Sequence, residues 1–181
     1  MPPDETPPAR RPSRADPMLL WVAAAVLLVA RVATGLYEER HPPRLPDLVS
    51  WVPAANAPAR AQLEGKPILY DFSAEWCGPC QQMQDEVFTD ENMAATVSRL
   101  AVPVRVVDRR REDGHNPAIV DSLQRVHDVR AFPTLVVVGP DGKAIDRMEG
   151  FPGARPLLGW LTRASVKQHL SGKGGASFSL P

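Results

Sequence analysis

Ile68-Leu69-Tyr70-Asp71-Phe72 runs directly into Ala74-Glu75-Trp76-Cys77-Gly78-Pro79-Cys80, and the rest of the chain is legible from that junction. The first five residues are apolar or aromatic apart from Asp71 and read as a strand. Residues 75–77 leave the strand. Pro79 then falls in the first turn of a helix, where its missing N–H costs nothing, and residues 81–86 continue as good helix formers. Cys77 therefore stands at a helix N-terminus, where free N–H groups and the macrodipole favour a thiolate over a thiol. Cys80 follows one turn later, close enough to attack a mixed disulfide formed on Cys77. This is the layout of a dithiol redox site.

Other readings of the two cysteines are weaker. A zinc site needs four ligands, and the chain holds two Cys and four scattered His (His41, His115, His127, His169) without metal-ligand spacing, so no metal and no separate cofactor are expected. A structural disulfide closing so small a loop would restrain the unfolded chain little.

The run from Asp71 to Cys80 resembles the active-site segment of the thioredoxin superfamily, differing at Ser73, where thioredoxins commonly carry Trp. Glu86-Val87-Phe88-Thr89-Asp90-Glu91-Asn92 and Gly150-Phe151 resemble more closely the C-terminal thioredoxin-like domain of the membrane reductase DsbD. The resemblance covers residues 49–170 and implies an α/β thioredoxin fold, a central mixed sheet flanked by helices.

Composition bounds the remainder. At 181 residues and 44% hydrophobic content, the chain holds one domain with a proper core and some extra length. The formal net charge is zero, which argues against a nucleic-acid partner. Eleven of the twenty prolines precede residue 60, so the beginning of the chain does not read as a packed domain.

Residues 1–17 read as a disordered tail. Residues 18–37 form an apolar run interrupted by Arg31, about 30 Å long as a helix and matched to a bilayer core. Trp21 and Tyr37 suit its two interfaces, and Arg31 can snorkel toward headgroups. A cleaved signal peptide is the rival reading, because the uninterrupted part is also of h-region length. Three arginines before the segment and two after it lean toward an N-terminus inside. The expected place is the inner (cytoplasmic) membrane, single-pass, with the redox domain facing the periplasm. Residues 38–47 read as a stiff, Pro-rich spacer.

The domain is expected over residues 48–170, opening with a short strand at 48–52 and an Ala-rich helix at 54–63 stopped by Gly65. The active-site helix is expected to run to about residue 87. Thr89 is expected to cap a helix to residue 99, followed by a strand at 102–107. Residues 109–115 read as a solvated charged loop, with a partner-docking surface as the sharper alternative. Asn116 is expected to cap a helix begun by Pro117. Gly139-Pro140-Asp141-Gly142 is a hairpin turn joining strands at 134–138 and 143–148. A final amphipathic helix over 155–170 carries Leu157, Leu158, Trp160, Leu161 and Val166 as its apolar positions, and residues 171–181 read as a flexible tail.

By pattern alone, Pro133 is a proline at a strand start, which is usually trans. By resemblance it matches the cis-proline that faces the redox pair in thioredoxin-like proteins, with Phe132 offering backbone for strand-like pairing with substrate. Gly150 resembles a glycine that lets backbone approach the site. Trp76 is expected either to contact substrate at the site edge or simply to pack.

The chemistry needs a thiolate and an accessible sulfur at Cys77, with Cys80 shielded behind it. Asp71 shares a strand face with Leu69 and Ser73, opposite Ile68, Tyr70 and Phe72. Burial would raise its pKa enough to accept the Cys80 proton, and the resemblance puts thioredoxin's buried acid here. The family's lysine near that acid corresponds to Val104 or Arg105, depending on register. No Lys, Arg or His lies beside the motif to stabilise the thiolate further, and the Gly78-Pro79 pair is associated with reductants.

The sequence thus points to a membrane-tethered thiol–disulfide reductase of exported protein disulfides, fed by a membrane electron donor of DsbD type. A dedicated apocytochrome c reductant and a client-binding module using the Phe132-Pro133 groove are the alternatives.

Overall fold

A computed structural model describes residues 17–40 and 46–174, and the chain divides into two compact units, Met1–Arg44 and Leu45–Pro181. In the first, helix α1 (Pro17–Arg40) carries residues Pro17–Tyr37, apolar on every side apart from Arg31 and long and apolar enough to cross a membrane. Helix continues through Glu38, Glu39 and Arg40, which the sequence assigned to the spacer; glutamate and arginine are good helix formers with nothing to break them before Pro42. The expected tail at 1–16 and the spacer at 41–45 lie outside the described residues.

The second unit is built on a four-stranded sheet of β1 (Ile68–Ala74), β2 (Val102–Asp108), β3 (Thr134–Val138) and β4 (Ala144–Glu149), in the order β2-β1-β3-β4. β1 pairs with β2 in parallel and with β3 antiparallel, and β4 closes the edge as a hairpin with β3. Apolar alternation dictates the layers. Ile68, Tyr70 and Phe72 join Val102, Val104, Val106, Val136 and Val138 on one face, with Ala57 and Ala61 of α2 (Ala57–Glu64). Leu69, Leu135 and Val137 face the other way, onto α3 (Gly78–Met83), α4 (Glu91–Leu100) and α7 (Ala154–Gly174). Every residue of β1 is buried.

Several local expectations are corrected. Residues 48–52 are not a strand: they make single bonds, from Leu48 N–H to the Phe88 carbonyl and from Val52 N–H to the Pro103 carbonyl, both 2.8 Å, instead of a ladder. The active-site helix changes after Met83 into a π-helical turn, Gln84–Phe88. Thr89 closes that turn, its hydroxyl donating to the Asp85 carbonyl, so Asp90 caps α4 instead by accepting from Met93 N–H at 2.9 Å.

The charged stretch contains a short helix, α5 (Arg110–Asp113). Asn116 does not cap α6 (Ala118–Val126), because its Oδ1, the oxygen a cap would use, accepts the Arg109 N–H at 2.7 Å while its side-chain NH2 donates to Asp108, also at 2.7 Å. On α7 the buried stripe is Leu157, Trp160, Leu161 and Ala164, spaced i, i+3, i+4, i+7; Val166 falls off it and is exposed. The helix extends to Gly174, so the expected tail begins later, and residues 175–181 lie outside the described residues.

Candidate active site

The β1–α3 junction carries the cysteines. Cys77 is the N-cap of α3, in extended conformation (φ −84°, ψ 106°), and is joined to Cys80 as a disulfide with Cα atoms 5.2 Å apart. The Cys77 sulfur accepts the Cys80 N–H at 3.2 Å, and its carbonyl accepts from Cys80 and Gln81 N–H, each at 3.1 Å. A negative sulfur at this position meets the donors that a helix start leaves free. Gly78 and Pro79 form the exposed first turn.

The expected contrast between an open Cys77 and a shielded Cys80 is absent in this oxidised pair: the two are 3% and 6% exposed. Ala74 packs with the disulfide, and half-buried Phe132 lies against it. Trp76, 48% exposed, meets Phe132 edge to face with ring centroids 6.0 Å apart. The Phe132–Pro133 peptide is cis and Pro133 is buried. The Pro133 carbonyl accepts the Gly150 N–H at 2.8 Å. Gly150 is required for its conformation (φ +77°) and not for closeness, since a Cβ there would meet nothing within 4 Å.

Asp71 is 1% exposed on the α3 side of β1, and the register resolves its partner: Asp71 pairs with Arg105, not Val104. Arg105 Nε donates to Asp71 Oδ2 at 3.3 Å, while Oδ1 is buried and finds no hydrogen-bond partner among the described residues. Burial pushes the Asp71 carboxyl up to about 6, against the downward pull of Arg105 and with a small upward push from Asp47.

Sequence reasoning missed three features of the surroundings. Asp47, assigned to the spacer, binds Arg105. Arg105 stacks over Trp51, 4.0 Å from the ring centroid. The charged stretch returns to the motif, with Arg109 donating to Glu75 at 2.8 Å and the Arg111 guanidinium 5.4 Å above the Trp76 ring. One cation, Arg111, does stand beside Trp76, although none adjoins the motif in sequence. The apolar alternation of β1 and β2 could have given the Arg105 register; nothing in the sequence signals the other contacts.

Comparison with known proteins places this geometry. The thioredoxin-like domain family matches residues 54–165. The thioredoxin-like protein slr0233 of Synechocystis is 34% identical over 93 residues, 51% of this chain and 76% of its own length. The thiol:disulfide interchange protein DsbD of Actinobacillus pleuropneumoniae is 28% identical over 102 residues, 55% of this chain but 16% of DsbD, so the chain spans only a small part of that relative. Among solved structures, a thioredoxin from Thermus thermophilus superposes with a TM-score of 0.58 at 25% identity, covering 74% of this chain and 99% of that one. With its Cys77–Cys80 pair at the start of α3, the chain belongs to the thioredoxin-like domain family as a disulfide oxidoreductase.

Proposed function

We propose that the chain is a membrane-anchored thiol–disulfide reductase that acts on disulfides of exported proteins. The observation that carries it is the Cys77–Cys80 disulfide, with the Cys77 sulfur already accepting a helix N–H. In the reduced form, the Cys77 thiolate attacks one sulfur of a substrate disulfide, forming a mixed disulfide and expelling the other sulfur as a thiolate. Cys80 passes its proton to the Asp71 carboxylate and attacks the Cys77 sulfur. That bond forms as the mixed disulfide breaks, and the second substrate thiolate leaves. The substrate gains two electrons and, with protons from solvent and Asp71, becomes two thiols; the Cys77–Cys80 pair becomes the disulfide. Trp76 and Phe132 line the approach to the pair, and substrate displaces their cover.

The Gly78-Pro79 pair supports the reducing direction, the length and apolarity of α1 support an anchor, and the three arginines before its apolar run against two after it lean toward a domain on the periplasmic side. A relative named as a thiol:disulfide interchange protein supports a DsbD-type membrane donor returning the pair to the dithiol. The deciding experiment is the reduction potential of the Cys77/Cys80 couple. A value near the roughly −270 mV of thioredoxin supports the reductase, and one near the roughly −120 mV of a strong oxidant sinks that direction. Protease applied to intact spheroplasts tests the topology: removal of the domain is expected, and full protection rejects it.

A further inference from the structure

Arg105 serves two carboxylates. Its Nε donates to Asp71 Oδ2 at 3.3 Å and its Nη1 makes the shorter bond, to Asp47 Oδ2. A guanidinium serving one buried carboxylate would present two parallel N–H groups to both of its oxygens. Here one N–H is drawn off to Asp47, and Asp71 Oδ1 is left bare. Asp47 is held in turn: Oδ1 accepts the Val49 N–H at 3.0 Å and Oδ2 the Trp51 Nε1–H at 2.7 Å. The guanidinium is also fixed by rings, with Trp51 at 4.0 Å and Phe88 at 5.0 Å.

From this geometry we infer that Asp47 is a positioning residue, holding Arg105 back from full pairing with Asp71 and so leaving that buried carboxylate able to exchange a proton. Its relevance to turnover rests on the reading of Asp71 as proton acceptor for Cys80. Charge on both partners matters because Asp71 is buried, where a neighbouring charge within a few ångströms moves an ionisation by about one unit or more.

Among the described residues, the other groups packed around Asp71 are uncharged. β3 sets Leu135 opposite it, and the helical layer on that face contributes Met83, Val87 and Phe88. Asp85 and Glu86 beside the active-site helix, Glu91 and Arg99 on α4, and Arg155, Arg163, Lys167 and His169 on α7 are exposed. Cys80 is the further titratable group on α3, and in the oxidised protein it is locked in the disulfide.

The test is a titration of the Asp71 side-chain carboxyl by carbon-13 NMR in the oxidised full-length chain in detergent micelles. Asp47→Asn is expected to lower its midpoint by about one pH unit, as Arg105 turns wholly to Asp71, with Asp47→Glu restoring it. An unmoved midpoint in Asp47→Asn overturns the inference. So does an equal fall in Asp47→Glu, which would assign the effect to packing of the segment and not to its charge. If Asp47→Asn does not fold, Asp47→Ser keeps an oxygen for the Val49 N–H and is read the same way. Insulin reduction at pH 7, measured alongside, separates the two ideas: a lowered midpoint with unchanged reduction leaves Asp47 as a positioning residue and removes Asp71 from the proton path.

Discussion

Arg105 stands directly opposite Asp71 across the parallel β1–β2 pair, 3.3 Å from a carboxylate that is 1% exposed. It is the cation that offsets the burial of that carboxylate. Arg105→Met is therefore expected to push the Asp71 midpoint above its value of about 6, by on the order of one unit, leaving about half of the group protonated at pH 7. The acid limb of insulin reduction should move to higher pH with it. A profile superimposable on the wild type would mean that the pair has no part in the chemistry.

The same carboxylate sets a pH dependence of stability. Its ordinary value near 3.8 is raised to about 6 on folding, so the folded chain binds the extra proton between those values. Its contribution is fully present below the lower value and is lost as pH rises through the upper one, a cost of about 3 kcal/mol at most. Asp71→Asn should accordingly stabilise the domain in urea unfolding at pH 7.5 and do little at pH 4. An equal gain at both pH values would contradict the assignment.

The two cysteines should behave differently when changed singly. Cys80→Ser leaves the attacking sulfur and removes the resolving one, so a covalent adduct with a disulfide-bearing protein should accumulate on non-reducing gels. Cys77→Ser should form little or none, and both variants should lose insulin reduction by at least a hundredfold. Adduct formation through Cys80 in the Cys77→Ser protein would reverse the assigned order.

Gly150 offers a test of conformation against space. A methyl group there meets nothing within 4 Å, but the backbone has φ +77°. Gly150→Ala should cost about 1–2 kcal/mol in urea unfolding, while insulin reduction by the folded protein persists. Loss of activity without loss of stability would revive the close-approach reading.

Much of this site is legible in the sequence because local signals agree. The apolar strand, the Trp-Cys-Gly-Pro-Cys turn and the helix formers after it all favour the same junction. Strand alternation puts Asp71 on the face of Leu69, and laying Ile68, Tyr70 and Phe72 beside Val102, Val104 and Val106 brings Arg105 opposite it. What stays hidden depends on residues distant in sequence. Asp47 is one acid among many until the fold brings it to Arg105, and Phe132, far along the chain, packs against the buried Cys77–Cys80 pair. Thr89 and Asn116 are chemically suited to cap helices. The carbonyl of Asp85 in the preceding turn engages the first and the Arg109 N–H occupies the oxygen of the second, so a competing backbone partner overrides each local preference.

β1 is hydrogen-bonded to a strand on each side and buried along its whole length. Segments enclosed in this way open only when the whole domain unfolds, so the amide hydrogens of Leu69 to Phe72 should be among the last to exchange with deuterated solvent. Asp71 is therefore borne by the most persistent part of the molecule. Phe132 and Trp76, at the edge of the pair, lie outside that strand, so opening toward the sulfurs is expected from them and not from β1.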